Sequence, residues 1–418
     1  MAPKLGIIAD DFTGATDIAS FMAKAGWQVI QLNGIPEIYD DYADVDAIVI
    51  SLKSRSCSAD EAVTQSRHAA EWLQARGCQQ LYFKYCSTFD STASGNIGPV
   101  TNLLLEKTGA SMAVLCPALP VNGRTVIHGY LFVNGQLLNE SGMQNHPLTP
   151  MTDANLIRVM EQQASGECGL VSLSAVRAGK EAIQTQLAML KQAGKRYAVI
   201  DAMTDEDLRA LAAALPEDVL LTGGSGLAGA IAALYPVQLA NDACGTPLRT
   251  GGCVLLAGSC STMTNKQVSR YRQQAPAVAI DVARAVDDSE AYIEELVSWY
   301  QKQSGPLAPL YYATRSAEEV KAMQLRYGAE VVGKAIEQLL ASLAVRLHQL
   351  GVNKIIAAGG ETSSLLVQRL HVSGFAIGDV IAPGVPWVKD MRRPLWLALK
   401  SGNFGDENFF SKAQETFA

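Results

Sequence analysis

Short apolar runs alternate with amphipathic stretches along most of the chain, and this alternation constrains the fold more than any other feature of the sequence. Apolar runs at 5–8, 47–52, 81–84 and 112–116 are separated by helical patterns over about 59–76 and 98–108. Hydrophobic strands that alternate with helices are typical of parallel sheets. The sequence therefore predicts an α/β fold, with one hairpin where Asn134-Gly135 interrupts the alternation.

A glycine-containing segment, Asn241–Gly252, breaks the pattern and is the best candidate for a linker. The 418 residues are enough for two or three domains, because a domain usually takes roughly 100–200 residues. A new strand-like run at 253–258 restarts the alternation beyond this segment. We therefore predict two domains, 1–245 and 250–418, each built on a mostly parallel sheet flanked by helices.

The composition argues against several classes of partner and location. The chain is 48% hydrophobic and 18% charged, with a net charge of −7 and no long run of Lys or Arg, so nucleic acid is not an expected partner. No apolar run approaches the ~18 residues of a membrane helix, and no signal peptide is expected because the N-terminus leads directly into a strand-like run. Eight cysteines without a CxxC pair are expected to be reduced thiols rather than zinc ligands. We expect a cytoplasmic protein that contacts neither nucleic acid nor membrane.

Two adjacent carboxylates, Asp10 and Asp11, stand between the first strand-like run and the first helix. In open α/β sheets, ligands bind at this carboxyl edge. A single Asp there is explained as a helix cap, which contributes about 0.5–2 kcal/mol. Two carboxylates followed by Thr13-Gly14 point to a ligand or catalytic role for at least one of them. We expect one to cap the helix and the other to be catalytic, with Asp11 favoured.

A set of polar residues falls at or just beyond other strand ends of the first predicted domain. Arginine holds a carboxylate through two hydrogen bonds, and hydroxyl or amide groups bind hydroxyls. The set therefore suits a small polyhydroxylated carboxylate, although any one cation taken alone is more often a solvated surface charge. His128 is left open between a hairpin residue and a site residue. The predicted acid-binding residues are Arg55, Lys84, Asp90, Ser91, Asn96 and Arg124.

Three strand ends of the second predicted domain carry small residues that allow close backbone approach. Gly359-Gly360 follows an apolar strand and opens a helix, where backbone N–H groups favour an anion. The segments 257–262 and 399–405 have the same placement, and together the three predict a nucleotide site. A GxGxxG pattern at Gly224, Gly226 and Gly229 indicates a dinucleotide fold only weakly, because no complete βαβ unit follows it. Close packing of a helix on the sheet is the alternative explanation of that pattern.

These motifs together resemble the four-carbon acid-sugar kinase family over nearly the whole chain. The resemblance rests on segments 9–15, 54–56, 90–92 with 95–96, Pro117 with 123–125, 359–363 and 400–405. It implies an N-terminal domain that binds a sugar acid and a C-terminal domain that binds ATP, with Mg²⁺ assisting phosphoryl transfer. The ATP-binding residues that the resemblance implies are Ser259, Gly359, Gly360, Glu361, Thr362 and Gly402.

One departure from the general family pattern narrows the resemblance to one branch of the family. The family has an Arg between its Asp-Ser-Thr and Gly-Asn motifs, whereas this chain has Ala93-Ser94, which is similar to the 3-oxo-tetronate kinase branch. The resemblance thus implies ATP-dependent phosphorylation of the terminal C4 hydroxyl of 3-oxo-tetronate. In this scheme Asp11 meets the acceptor hydroxyl, and Arg55 holds the carboxylate at the far end of the acid.

The sequence leaves several features of the site open. Lys84 or Arg124 is expected to assist Arg55, while the metal ligands are unknown and a homodimer is possible. Two alternatives come from different classes of protein. One is an NAD-dependent hydroxy-acid dehydrogenase that uses the GxGxxG glycines, and the other is a non-catalytic sugar-acid sensor.

Overall fold

A computed structural model describes residues 5–36, 45–145, 149–235, 247–313 and 326–417. The chain divides into two compact units, Met1–Asn241 and Asp242–Ala418, called unit 1 and unit 2 below. Residues 241–246 of the predicted linker lie outside the described ranges. No helix within those ranges is long and apolar enough to cross a membrane.

Unit 1 is an α/β unit with a main parallel sheet and a small antiparallel one. Its strands are β1 (Leu5–Ala9), β2 (Val29–Asn33), β3 (Ala47–Ser51), β4 (Gln80–Lys84), β5 (Met112–Cys116), β6 (Arg124–Ile127), β7 (Tyr130–Val133), β8 (Gln136–Leu137), β9 (Cys168–Val171), β10 (Tyr197–Ile200) and β11 (Val219–Gly223). The main sheet has the order β2-β3-β1-β4-β11-β5-β10-β9, and all neighbouring pairs are parallel. The small sheet is β6-β7-β8.

The helices of unit 1 follow the predicted alternation. The predicted helices over about 59–76 and 98–108 are confirmed as the second and third helices of the chain. The helices are α1 (Phe12–Lys24), α2 (Ala59–Ala75), α3 (Ile97–Thr108), α4 (Leu156–Gln163), α5 (Leu173–Ala178), α6 (Lys180–Gln192), α7 (Asp205–Ala214) and α8 (Ser225–Leu234).

The predicted hairpin is confirmed between β7 and β8. Asn134 and Gly135 have φ values of 52° and 82°, the left-handed geometry that an Asn-Gly turn provides. His128 forms the turn between β6 and β7, where its φ is 53° and its backbone N–H donates to Asp201 Oδ2 at 2.9 Å. His128 is therefore a hairpin residue in this structure.

The strand order of unit 1 reverses at β1. The chain passes from β1 through α1 to β2, and β3 and β2 lie on one side of β1 while β4 lies on the other. Every residue of β1 and β3 is buried, which explains their continuous apolar sequences. Because ligands bind where the strand order of an open α/β sheet reverses, the carboxyl ends of β1, β3 and β4 define the expected site of unit 1.

Unit 2 has a mixed, mostly parallel sheet. Its strands are β12 (Gly252–Ala257), β13 (Ala277–Ala279), β14 (Leu310–Tyr312), β15 (Val352–Ala358), β16 (Gly374–Ala382), β17 (Val385–Asp390) and β18 (Trp396–Lys400). The order is β13-β14-β12-β15-β18-β17-β16, with antiparallel pairing at β18-β17 and β17-β16 and parallel pairing elsewhere. The described helices are α9 (Thr262–Tyr271), α10 (Val282–Asp287), α11 (Ser289–Gln301), α12 (Ala329–Gln349), α13 (Gly360–Arg369) and α14 (Phe409–Glu415).

The strand order of unit 2 reverses between β12 and β15. The chain leaves β12 for β13 and β14 on one side, and later forms β15 on the other side. The carboxyl ends of the adjacent strands β12, β15 and β18 are therefore the expected ligand edge of this unit. The predicted α/β class is confirmed.

Candidate active site

Three adjacent strands of unit 1 bring the first group of predicted site residues together. Asp10 follows β1, Arg55 lies shortly after β3, and Lys84 ends β4. Backbone hydrogen bonds fix these strand ends, because Asp10 N donates to Lys84 O at 3.0 Å and Arg55 N donates to Asp10 O at 3.1 Å. The sheet register thus places two carboxylates and two cations at one edge.

Arg55 joins the two carboxylates. Its Nε and Nη2 donate to the two carboxylate oxygens of Asp10 at 3.0 and 2.7 Å, and the same Nη2 lies 2.7 Å from Asp11 Oδ1. The third nitrogen, Nη1, is 3.9 Å from Asp90 Oδ2. Paired carboxylates hold a guanidinium in a fixed plane, so Arg55 is preorganised rather than a mobile surface charge.

Asp11 is also the cap of α1. Its Oδ1 accepts the Gly14 backbone N–H at 2.8 Å, and its Oδ2 accepts the Thr13 hydroxyl at 2.7 Å. Gly14 permits this arrangement, because a Cβ at that position would lie 2.3 Å from Asp11 Oδ1 and 3.2 Å from Lys84 Nζ. The Asp-Asp-Phe-Thr-Gly sequence is therefore a single packed unit.

The two carboxylates differ in access and in charge. The side chain of Asp10 is 7% exposed and that of Asp11 is 24% exposed. Burial raises the pKa of Asp10 although Arg55 lowers it, whereas the opposing effects of Arg55 and Lys84 outweigh burial and lower the pKa of Asp11. Asp11 is consequently the carboxylate that is both charged at neutral pH and open to a ligand.

Lys84 and Asp90 complete this cluster. Lys84 is buried, and its Nζ donates to Tyr85 O at 2.8 Å. Asp90 Oδ1 accepts the Thr88 hydroxyl at 2.6 Å, and the Thr88 hydroxyl lies 2.9 Å from Cys86 Sγ. These contacts orient Asp90 beside Arg55.

Three other predicted acid-binding residues are bound to the protein itself. Asn96 Nδ2 donates to the backbone oxygens of Ser54 and Cys57 at 2.6 and 3.0 Å, so it supports the loop that carries Arg55. Ser91 Oγ donates to Gln163 Oε1 at 2.9 Å. Arg124 Nη1 donates to the backbone oxygen two residues before it. Their contact with an acid stays a prediction.

In unit 2, the three glycine-containing loops meet at the carboxyl ends of β12, β15 and β18. Ser259 N donates to Ala358 O at 3.2 Å, and Gly359 N donates to Lys400 O at 2.9 Å. A Cβ on Gly402 would lie 2.6 Å from Ser259 Oγ, so the third loop packs directly on the first. The structure thus brings Ser259, Gly359 and Gly402 into one site.

The N-terminus of α13 is open toward a ligand. Gly359 precedes the helix with a φ of 134°, a conformation that a side chain would strain, and it provides no side-chain cap. A Cβ on Gly360 would meet no atom within 4 Å. Thr362 is buried beneath the loop, where its Oγ1 would be 2.4 Å from a Cβ on Gly258, whereas Glu361 is exposed. Uncapped N–H groups with free space before them suit an anionic group.

Two family models match the chain. One is described as "Sugar-binding N-terminal domain" and covers residues 5–231, and the other is described as "Nucleotide-binding C-terminal domain" and covers residues 254–410. A curated 3-oxo-tetronate kinase from Pectobacterium atrosepticum is 53% identical over 99% of this chain and 99% of its own length. Another from Salmonella typhimurium is 51% identical, also over 99% of both chains. The chain belongs to the 3-oxo-tetronate kinase family.

Two solved structures share the fold of this chain over nearly its whole length. A structure from Salmonella typhimurium LT2 is 50% identical with a TM-score of 0.94, and covers 99% of each chain. A Haemophilus influenzae protein is 51% identical with a TM-score of 0.85, over 99% of this chain and 100% of its own. The resemblance inferred from the motifs is therefore confirmed, as is a nucleotide-binding domain in the C-terminal part of the chain.

Two details of the predicted acid site are wrong for this family member. The expectation that the carboxylate other than Asp11 caps the helix fails, because Asp11 itself caps α1. The expectation that Arg55 stands at the far end of the acid from Asp11 also fails, since the two side chains are 2.7 Å apart. Sequence spacing did not reveal this pairing, because β1 and β3 become neighbours only in the sheet.

The GxGxxG pattern is explained by packing. A Cβ on Gly224 would lie 2.8 Å from Pro117 O, and one on Gly226 would lie 2.8 Å from Ala118 O. A Cβ on Gly229 would be 3.2 Å from the Phe21 side chain. Close packing of α8, the alternative explanation of this pattern, accounts for all three glycines.

Asp17 is a buried carboxylate that the sequence reasoning missed. Its Oδ2 accepts the Ser225 hydroxyl, while its Oδ1 has no hydrogen-bond partner among the described residues. Burial raises the pKa of Asp17, and the charge of Lys84 opposes that shift. The sequence signal for this carboxylate was an Asp at a position of the first helix where the helical pattern predicts burial.

No group of three potential metal ligands of the His, Cys, Asp or Glu type occurs within the described ranges. The cysteines in those ranges are free thiols, and Cys244 lies outside them. Mg²⁺ usually needs only one or two protein carboxylates when substrate phosphates supply the remaining ligands. Glu361 is the one acidic residue of segments 258–262, 359–363 and 400–405, so these loops fit a metal held mainly by phosphate.

Proposed function

We propose that this protein is an ATP-dependent 3-oxo-tetronate kinase that transfers the γ-phosphoryl group of ATP to the C4 hydroxyl of the acid. The observation that carries the proposal is the 51–53% identity to curated 3-oxo-tetronate kinases over 99% of the chain. The Arg55–Asp10–Asp11 cluster and the three adjacent loops of unit 2 support the same reaction. The protein is a phosphotransferase that acts on a sugar acid.

The acid site belongs to unit 1. Asp11 is the accessible carboxylate, and Arg55 and Lys84 keep it charged at neutral pH. A charged carboxylate accepts a hydrogen bond from the acceptor hydroxyl, orients its oxygen and takes up its proton as the new P–O bond forms. Asp10 holds the guanidinium of Arg55 from the buried side, so it is a positioning residue in this scheme.

The guanidinium of Arg55 suits a second oxygen of the substrate, one close to the acceptor hydroxyl at Asp11. The Nη1 atom of Arg55 faces Asp90, and its distance of 3.9 Å from Asp90 Oδ2 is longer than a hydrogen bond. A ligand oxygen can share this guanidinium without breaking its pair with Asp10. Lys84, Asp90, Ser91, Asn96 and Arg124 remain proposed contacts or supports of the acid.

The nucleotide site belongs to unit 2. The uncapped N-terminus of α13 offers backbone N–H groups to phosphate oxygens, and Gly360 leaves room for them. Ser259 and Gly402 lie in the two neighbouring loops, and Thr362 lies in the first turn of α13. Glu361 would be the protein ligand of Mg²⁺, which neutralises charge on the transferring phosphate when bound. A cytoplasmic location and a homodimer stay predictions.

Turnover tests the proposal directly. Purified protein is incubated with ATP, Mg²⁺ and 3-oxo-tetronate, or with other four-carbon sugar acids, and ADP is measured by a coupled assay. We expect ADP formation that requires the acid, and no reduction of NAD in a parallel reaction. A folded protein that forms no ADP with any acid would refute the proposal, and stabilisation by the acid without turnover would favour a sensor.

A further inference from the structure

Lys400 is a buried cation that the proposed reaction does not yet use. It ends β18, and its side chain is fully inaccessible to solvent. Its Nζ lies 3.0 Å from Thr264 Oγ1, 3.1 Å from Ser401 O and 2.8 Å from Gly402 O. An ammonium has three N–H donors, and these three oxygens match them one for one.

The backbone and the side chain of Lys400 link the second and third nucleotide loops and the first turn of α9. The backbone oxygen of Lys400 accepts the N–H of Gly359, which leads into α13. The ammonium holds the carbonyl of Gly402, and Thr264 Oγ1 in the first turn of α9 donates to the same carbonyl at 2.7 Å. Gly402 in turn packs on the side chains of Ser259 and Ser261. Lys400 therefore contacts the second and third loops directly, and it reaches the first loop only through Gly402 and Thr264.

Burial at this position is energetically unfavourable for the charged ammonium of Lys400. None of the ion pairs between described residues involves Lys400, and the ring of Phe409 lies 6.0 Å from its Nζ. Burial lowers the pKa of Lys400 to about 7. A buried charge without a counter-ion is disfavoured unless another interaction offsets the loss of water, and an anionic ligand at the loops would supply that interaction.

We propose that Lys400 is a positioning residue of the nucleotide site, which holds the Gly402 turn against the Gly359 loop and adds one positive charge behind the bound phosphates. The inference rests on the proposed function, because it takes the three loops as the nucleotide site. It predicts that loss of the ammonium weakens ATP binding and leaves the affinity for the sugar acid unchanged.

Lys354 provides a matched control. It is also buried in unit 2 and donates to two backbone oxygens, those of Thr250 and Gly251, at 2.6 and 3.1 Å. It lies near the start of β15, at the opposite edge of the sheet from Gly359. Lys400→Met and Lys354→Met therefore remove equivalent buried ammonium groups, and only the first one contacts the nucleotide loops.

The experiment measures the Kd for ATP by calorimetry and the KM for ATP and for 3-oxo-tetronate in both variants. We expect Lys400→Met to raise the Kd and KM for ATP by about tenfold or more, with the KM for the acid within about twofold of wild type. Lys354→Met should change neither KM, although its thermal stability falls. Unchanged ATP affinity in Lys400→Met, or an equal loss in both variants, would overturn the inference.

A second substitution covers the case in which Lys400→Met does not fold. Thr264→Val keeps the volume of the side chain but removes the hydroxyl between the ammonium and the Gly402 carbonyl, so we expect a smaller rise in the Kd for ATP. No rise in a folded Thr264→Val protein would then overturn the inference. ATP calorimetry needs no sugar acid, so failure of the proposed substrate and failure of the Lys400 role give different results.

Discussion

At the scale of single residues, the geometry of the acid site depends on how Asp10 and Asp11 share Arg55. Asp10 takes two nitrogens of the guanidinium and is almost completely buried, while Asp11 takes one nitrogen and keeps part of its surface open. Removing a charge from a buried pair leaves the partner uncompensated, which is more costly than losing an exposed pair. The two carboxylates therefore have separable effects on stability and on turnover.

Substitution of each carboxylate by its amide tests this separation. We expect Asp11→Asn to lose activity by about two orders of magnitude and to stay close to wild type in thermal stability, because Asn caps helices as well as Asp does. Asp10→Asn should lose stability as well as activity, since Arg55 loses its buried partner. Asp281→Asn serves as a control, because Asp281 caps α10 of unit 2 in the same way. Near-normal turnover in both site variants would show that the pair is only structural.

The low pKa of Lys400 predicts a pH dependence of ATP binding. The pKa of Lys400 is about 7 in the folded protein and near 10.4 in the unfolded chain, so between these pH values the folded protein binds fewer protons at this group. Lys400 alone therefore makes the free energy of unfolding rise with pH in that window. Phosphates favour the ammonium, so ATP affinity changes in the opposite direction and falls as pH rises above about 7.

The measurement is the KM for ATP across this pH range in wild type and in Lys400→Met. The groups that face the ammonium are the Thr264 hydroxyl, the Ser401 and Gly402 carbonyls and the Phe409 ring, and none of them titrates near neutral pH. We expect the KM to rise with pH in wild type, by about tenfold for each pKa unit that ATP adds to Lys400, and to rise less in Lys400→Met. Identical profiles would contradict this account of the residue.

At the scale of elements, the N-terminus of α13 is the part of unit 2 whose form fits a phosphate. A helix that begins without a cap leaves several N–H groups unpaired, and its dipole favours negative charge at that end. The open space at Gly360 lies at this terminus. The same end of α9 is capped by Ser261, so the two helices that face the site differ in how their N-termini are satisfied.

Gly360→Val tests this assignment. A Cβ at this position meets no atom within 4 Å, so a valine would fill the space before the helix. We expect the KM for ATP to rise by about tenfold or more and the KM for the acid to stay unchanged. Gly333→Val in α12 is the control, because a Cβ there also meets no atom within 4 Å. If the two KM values rise together in Gly360→Val, the nucleotide does not occupy this terminus.

At the scale of the whole molecule, the sequence predicted which strand ends carry the candidate site residues but not how their side chains pair. Apolar runs such as Ile7-Ile8 and Ile355-Ile356 predicted buried strands, and the residues after them were correctly placed at strand ends. The pairing of Arg55 with Asp11 depends on the neighbourhood of β3 and β1, which is set by sheet order rather than by local pattern. The antiparallel pair β16-β17 was not predicted, because its polar residues interrupt the apolar pattern of a buried strand.

Lys400 shows the same limit of sequence-based prediction within unit 2. In the sequence, the lysine after Leu397-Ala398-Leu399 is expected to be the polar end of a strand. Only the structure shows that its side chain is buried and donates hydrogen bonds to three oxygens. Lys84 ends β4 in the same manner and is buried as well. A lysine at the end of an otherwise apolar strand was therefore a usable signal for a site in both units.

The structure of the reaction product tests the central claim most directly. The protein is incubated with ATP, Mg²⁺ and 3-oxo-tetronate, and the purified acid product is examined by proton and phosphorus NMR. The account predicts a phosphomonoester whose phosphorus couples to the two C4 protons, formed in equal amount to ADP. Release of inorganic phosphate without a phosphorylated acid, or a phosphate on any oxygen other than that of C4, would contradict it.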